Sequence, residues 1–286
     1  MYHYDFEIAG LRLRVASVLQ LHELFELQDY HRPFSPALSA DLHYSIQLLD
    51  DDWRIQGMQV ACDEHSALYE TKTQMHRYYY WNIYSKDRYV LVRSHKGDPY
   101  HYEILLQPAY IDRILPQFRL AAFFCPEQAL LAHRALFLHA AVIDWKNQGI
   151  LFTGPSGAGK STQAALWNQL ENAQIINGDR GIIRLQRDRL QVYGSPYAGT
   201  SGIYTTHSAP VRCIVVLSQA KENALRRLTP REAFFALYQQ CTVQSWDPWF
   251  VEQLSSLLQS IVARVEICHL ACRPDADAVN LVKSVL

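Results

Sequence analysis

Two rhythms of apolar and polar residues run along this 286-residue chain. The first ~115 residues read mostly as strands, in which a period of two marks a segment that buries one face and wets the other. YDFEIAG (4–10) and LRLRVA (11–16) meet at Gly10 as a hairpin does, and HYSIQLL (43–49) alternates in the same way. HRYYYWNIYS (76–85), RYVLVRS (88–94) and HYEILLQP (101–108) are rich in tyrosine and β-branched residues, and Lys96-Gly97-Asp98-Pro99 supplies a turn between the last two. HRPFSPALSA (31–40), with two prolines, reads as an ordered connection.

From Gln117 to His133 the spacing becomes helical, and Pro126 either kinks that helix or starts a second one. Beyond it strands and helices alternate, the grammar of an α/β layer. LFLHAAVID (136–144) and GILFT (149–153) predict strands, Lys160–Leu170 a helix, and QIIN (174–177), GIIRL (181–185) and RLQVY (189–193) short strands. VRCIVVL (211–217) is the strongest buried-strand signal. LTPREAFFALYQQ (228–240) carries a helix start in which Thr229 caps, Pro230 takes the first turn and Glu232 completes a capping box. A long helix over 247–264, the strand VEICHL (265–270) and a helix from Asp275 follow. These patterns predict a β-rich (α+β) N-terminal domain over 1–116, a connecting helix over 117–134 and an α/β domain over 135–286.

Composition narrows the classes. Apolar residues make up 49% and charged residues 19%, the profile of a folded globular chain. Lys and Arg number 27 against 28 Asp and Glu, so no basic excess points to nucleic acid. Asp5, Glu7, Arg12 and Arg14 break the N-terminal run, no signal peptide is expected, and no window is apolar enough for a membrane span. The six cysteines are scattered, as expected for reduced thiols in a cytoplasmic protein.

The chemistry concentrates in LFTGPSGAGKST (151–162). Gly154 to Ser161 satisfies G-x-x-x-x-G-K-[ST], between a predicted strand and a predicted helix. Gly154, Gly157 and Gly159 permit the positive-φ turns that aim backbone N–H groups at one anion. The helix N-terminus adds donors and a dipole. The expected phosphate-binding set is Gly154, Ser156, Gly157, Ala158, Gly159, Lys160, Ser161 and Thr162, with Lys160 on the β and γ phosphates and the Ser161 hydroxyl on Mg²⁺. The expected cofactors are ATP, with GTP as the alternative, and Mg²⁺.

Transporter ATPases share this loop but need an LSGGQ segment and an acidic strand end, whereas VRCIVVLSQA ends in Ser-Gln; guanylate kinases carry the loop near their N-terminus. What does match is the neighbourhood. A His-Ala-Ala strand, a turn and a second strand precede the loop, and IINGDRGIIR places Asp179 only 19 residues after Lys160. Over residues 136–240 this resembles the C-terminal domain of HPr kinase/phosphorylase and the related serine kinases that act on peptides in lasso-peptide gene clusters, a P-loop group shared with PEP carboxykinase. The resemblance implies that Asp179 is the Mg²⁺-side acid and that His139 stands near the site, where it reads either as a substitute base or phosphate donor or as a strand-end histidine bonded to a neighbouring carbonyl. It also implies a phosphotransferase, with an oligomer as a weak corollary.

The departures are informative. HPr kinases carry two consecutive aspartates where this chain has Gly178-Asp179, and their arginine- and glycine-rich signature is replaced by GTSGIYTTHSAPV (199–211). HPr as substrate and phosphorolysis are therefore not expected. Loss of a base slows phosphoryl transfer without forbidding it, because that chemistry rests on positioning and charge neutralisation. The expected function is an ATP-dependent kinase acting on a Ser or Thr hydroxyl of a peptide or protein, with the N-terminal domain capturing that acceptor or a partner chain. The alternatives are a nucleotide-binding regulator or scaffold and a small-molecule hydroxyl kinase. Arg180 reads either as a phosphate ligand or as an exposed strand residue. The loop GSPYAGTSG (194–202), with three glycines and a proline, is expected to be shaped for the site. Cys268-His269-x-x-Cys272 lacks the second pair that a zinc site needs. YYYWNIY (78–84) reads as a hydrophobic sheet face, and Trp246-Asp247-Pro248-Trp249 as a packing staple whose aspartate caps a helix.

Overall fold

A computed structural model describes residues 1–21, 25–35, 38–49, 54–80, 87–112, 123–124 and 126–286, and the chain divides into two units, Met1–Ala129 and Leu130–Leu286. Both are built on large sheets with few helices. No described helix is long and apolar enough to cross a membrane.

In the first unit, β1 (Tyr2–Ile8) and β2 (Leu11–Ser17) pair antiparallel about Ala9 and Gly10, whose φ of 53° and 71° suit a tight two-residue hairpin turn. Six further strands complete the sheet: β3 (Leu42–Leu48), β4 (Met58–Cys62), β5 (Ser66–Glu70), β6 (Gln74–Tyr80), β7 (Arg88–His95) and β8 (His101–Leu106). Their order is β1-β2-β3-β8-β7-β6-β5-β4. β3 runs parallel to both β2 and β8, so the sheet is mixed. The period-two pattern becomes burial: Leu11, Leu13 and Val15 of β2 and Leu42, Tyr44 and Ile46 of β3 are buried. Tyr78 and Tyr80 belong to a core with Ala67, Leu91 and Leu105, so the described part of the tyrosine-rich run is sheet face, while 81–84 lie outside the described residues.

Of the expected connecting helix, 117–122 and 125 lie outside the described residues, and helix is present over Glu127–Ala132 (α2). A shorter helix, α1 (Phe25–Gln28), lies in the first unit.

In the second unit, two long strands belong to two sheets at once. β9 (Ala135–Asp144) pairs through its first half with β12 (Arg180–Gln186), and through its second half with β10 (Gly149–Thr153) and β11 (Gln174–Asn177). β14 (Ser208–Gln219) pairs with β13 (Arg189–Tyr193) at its start, then parallel with β10 and β16 (Glu266–Cys272). β12 pairs with β13, so the path β10-β9-β12-β13-β14 returns to β10, and β15 (Ala224–Arg227) forms the edge beyond β16.

Helices cover both sides of the parallel strands. On one side lie α4 (Pro230–Tyr238) and α5 (Pro248–Val262), whose Phe250, Leu254, Leu257, Leu258 and Ile261 follow helical spacing into the core. The Thr229–Glu232 capping box forms, and Asp247 caps α5 by accepting from the Phe250 N–H. Trp249 is exposed, so that part of the expected staple does not pack. On the other side lie α3 (Lys160–Glu171) and α6 (Ala276–Lys283), with Trp167 fully buried against Trp145 and Phe152.

Candidate functional site

Strand β10 is fully buried and ends at Thr153, whose hydroxyl donates to the His139 carbonyl at 2.8 Å. The chain then turns through Gly154 (φ 138°), Gly157 (φ 78°) and Gly159 (φ 99°) into α3. A Cβ on Gly157 or Gly159 meets nothing within 4 Å, so open space lies over this part of the loop. Ser156, Ser161 and Thr162 are exposed there, while the Ala158 side chain packs into the core and its N–H donates to the Pro155 carbonyl.

Lys160 is buried, and its ammonium donates to the carbonyls of Gly154 (2.9 Å) and Pro155 (3.2 Å). Burial pushes its pKa below the usual lysine value, and the Asp179 carboxylate opposes that shift. An ammonium held by two carbonyls beside open space is positioned to bind an anion entering that space.

The antiparallel register of β9 and β12 sets Arg180 opposite His139. His139 Nδ1 lies 3.2 Å from Asp179 Oδ1, joining two candidates that are 40 positions apart (179 − 139). Burial first, and then the Lys160 charge, hold the His139 imidazole below its ordinary pKa, with Asp179 pulling the other way. A neutral imidazole with a carboxylate on Nδ1 can take up a proton. Arg180 is exposed, with its Nε 3.8 Å from Asp179 Oδ2.

Asn177 holds this arrangement, and the motif reading passed it over. It is fully buried at the end of β11, and its side-chain oxygen accepts from the N–H groups of Asp179 (2.8 Å) and Arg180 (2.7 Å). Its side-chain nitrogen donates to the carbonyl of Ser195 (2.9 Å) and reaches that of Tyr197 (3.4 Å). One amide thus ties the Asp179 turn to the loop 194–202. The available signal was a polar residue closing an apolar strand, QIIN, immediately before the acid.

The loop presses on the same turn. A Cβ at Gly199 stands 2.5 Å from Asp179 Cγ, so only glycine approaches that closely. Ser201 sits over Gly178, where an added Cβ meets Ser201 Oγ at 2.1 Å and Ser201 Cβ at 2.7 Å. Position 178 therefore has no room for a side chain beside this loop. Gln219, at the end of β14, donates to the Gly157 carbonyl at 2.8 Å and steadies the glycine-rich loop from the other side.

Cys268, His269 and Cys272 form no half-site. Strand β16 directs both cysteines to one face and His269 to the other, where Nε2 lies 3.0 Å from Ser218 Oγ. Among the described residues no group of three or more His, Cys, Asp or Glu side chains gathers as a metal site.

No protein-family model matches the chain. Comparison with curated proteins likewise finds no match. Among solved structures, the HPr(Ser) kinase/phosphatase from Coxiella burnetii is similar at 13% identity and a TM-score of 0.31, over 52% of this chain and 87% of that one.

Proposed function

We propose that the second unit is a P-loop domain of the HPr kinase type that binds a nucleoside triphosphate, ATP before GTP, with Mg²⁺, and transfers its γ-phosphate to a hydroxyl of a peptide or protein. The observation that carries the reading is the buried Lys160 ammonium on the carbonyls of Gly154 and Pro155, in a loop whose Gly157 and Gly159 border open space, with the Asp179 carboxylate of the His139–Asp179 pair acting on its charge. The loop amides and Lys160 would hold the phosphates, while Ser161 and Asp179 would hold Mg²⁺, which neutralises charge on the phosphates. His139, neutral and oriented by Asp179, is the group able to accept the proton of an acceptor hydroxyl. A cytoplasmic location and a homo-oligomer belong to the same proposal.

A second reading, a nucleotide-binding regulator without transfer, is favoured by Gly178, whose side-chain space Ser201 fills. The test is nucleotide binding and turnover with Mg²⁺, comparing ATP and GTP in the wild type, Lys160→Ala and Asp179→Ala. Slow hydrolysis lost in both variants supports transfer. Binding without turnover, even with hydroxyl acceptors added, selects the regulator. Absence of binding refutes both.

A further inference from the structure

The same sheet that carries His139 at one end carries a second feature at the other. Antiparallel partners share a face, so the pairs Arg180–His139, Ile182–Phe137 and Arg184–Ala135 lie on one side of β9 and β12. Continuing across β13, Arg184 pairs with Gln191 and Gln186 with Arg189, which places these four side chains on that side too. The opposite side, with Ile183, Leu185, Leu190 and Val192, is core.

At this far end the surface is concave. A cleft of about 800 Å³ is lined by Arg184, Arg187 and Arg189 together with Gln186, Gln191 and Tyr193 among others, and among the described residues no carboxylate lines it. Arg187 and Arg189 are exposed and form no ion pair among the described residues. The acid of the turn, Asp188, is bridged instead to Arg264 at 3.0 Å. In a chain of net charge −1, such one-signed lining is a local segregation of charge.

We propose that this arginine-lined cleft on the β12–β13 hairpin is a docking site for an acidic, extended peptide segment. Guanidinium groups present paired N–H donors that match carboxylates. Gln191 donates to Ser208 Oγ at 3.2 Å and keeps an amide oxygen able to accept a backbone N–H, while the Gln186 amide oxygen accepts from Arg184 Nε and Nη1, so the exposed Arg187 and Arg189 carry the recognition of carboxylates. The cleft is large for a single phosphate and lies within the range of organic-ligand sites; Tyr193 and His133 are its aromatic lining residues among those described, and the chain's lack of a basic excess, 27 Lys and Arg against 28 Asp and Glu, disfavours nucleic acid. The proposal stands apart from phosphoryl transfer. If the kinase reading also holds, acidic residues of the acceptor dock away from its hydroxyl. From Arg180 to Arg184 is four strand steps, roughly 13 Å at ~3.3 Å each.

The experiment is fluorescence anisotropy of a labelled oligoglutamate peptide on the full chain without nucleotide, so its outcome is independent of turnover. The variant is Arg187→Asn with Arg189→Gln; asparagine suits position 187, where φ is 45°. The expected result is binding that weakens with salt and falls by about a hundredfold in the variant, ~tenfold per arginine, at an unchanged unfolding midpoint. The single Arg189→Gln variant reads the same effect if the pair disturbs folding. Equal binding of wild type and variants, or equal binding of a neutral peptide of the same length, overturns the proposal. Displacement of the peptide by inorganic phosphate at equal carboxylate concentration, or tighter binding of a single-stranded RNA, assigns the cleft to another ligand and also overturns it.

Discussion

Substituting Gly178 by alanine adds one methyl group where there is no space for it. The added Cβ meets Ser201 Oγ at 2.1 Å and Ser201 Cβ at 2.7 Å. The backbone cannot withdraw freely, because the Gly178 N–H donates to the Ile203 carbonyl at 3.0 Å and the Asn177 amide holds the next two N–H groups. Nor does Ser201 rotate away without loss, since its hydroxyl donates to the Ala198 carbonyl at 2.6 Å. Overpacking of this kind costs about 1–3 kcal/mol. Ser201→Gly alone loses the hydroxyl contacts, about 1 kcal/mol. The double variant regains the space, so its destabilisation should match that of Ser201→Gly alone. The two costs then fail to add by the whole Gly178→Ala cost, ~1–3 kcal/mol. Urea unfolding followed by tryptophan fluorescence reads this well, as Trp145, Trp167, Trp246 and Trp249 are all in the second unit. At a cost of ~2 kcal/mol and a slope near 2 kcal/mol per M, the midpoint falls by roughly 1 M. A Gly178→Ala midpoint within ~0.2 M of wild type, or strictly additive costs, would refute the packing argument. The same geometry bears on chemistry: an aspartate at 178 requires the 199–203 segment to move aside.

Two further outcomes are expected. Asn177→Ala removes a buried amide and leaves the part-buried turn at Asp179 and Arg180 without its acceptor, and the stability loss should be about 2–4 kcal/mol in the same urea assay; a loss below ~1 kcal/mol would show that the amide does not hold this turn. For His139 the folded pKa lies below the ordinary imidazole value of about 6.5, so between the two the unfolded chain binds a proton that the folded one does not. Stability therefore rises with pH through that window, and below it, where both states carry the proton, this group's contribution is flat. His139→Gln should flatten the acid limb up to about pH 6.5, measured as urea midpoints across the range, and an unchanged limb would place the proton uptake elsewhere.

Much of the second unit was legible because its signals are local. A strand ending at Thr153, three glycines, Lys160 and a helix fall within a few turns of chain, and positive φ at Gly154, Gly157 and Gly159 follows from residue type. The Thr229–Glu232 capping box was readable for the same reason. Strands β4 and β15 were not. They are the terminal strands of their sheets, most of their residues are exposed or only half-buried, and an edge that buries little carries no apolar alternation to detect. Strand β5 lies next to β4 and was also passed over.

By itself the sequence determined the strand-rich first part, the alternating second part and the residue types of the glycine-rich loop, all of which depend on neighbours along the chain. Tertiary structure alone decided which distant residues meet. The register of β9 against β12 brings His139 to Asp179, and the path of the 194–202 loop puts Gly199 against Asp179 and Ser201 into the space beside Gly178. A one-residue slip in that register turns every side chain of the strand to the opposite face. Pairing of this kind is set by the burial of whole faces and by loop closure, and composition and spacing do not encode it. The arginine cleft has the same origin: Arg184 and Arg189 come from different strands, and only their pairing makes them one surface.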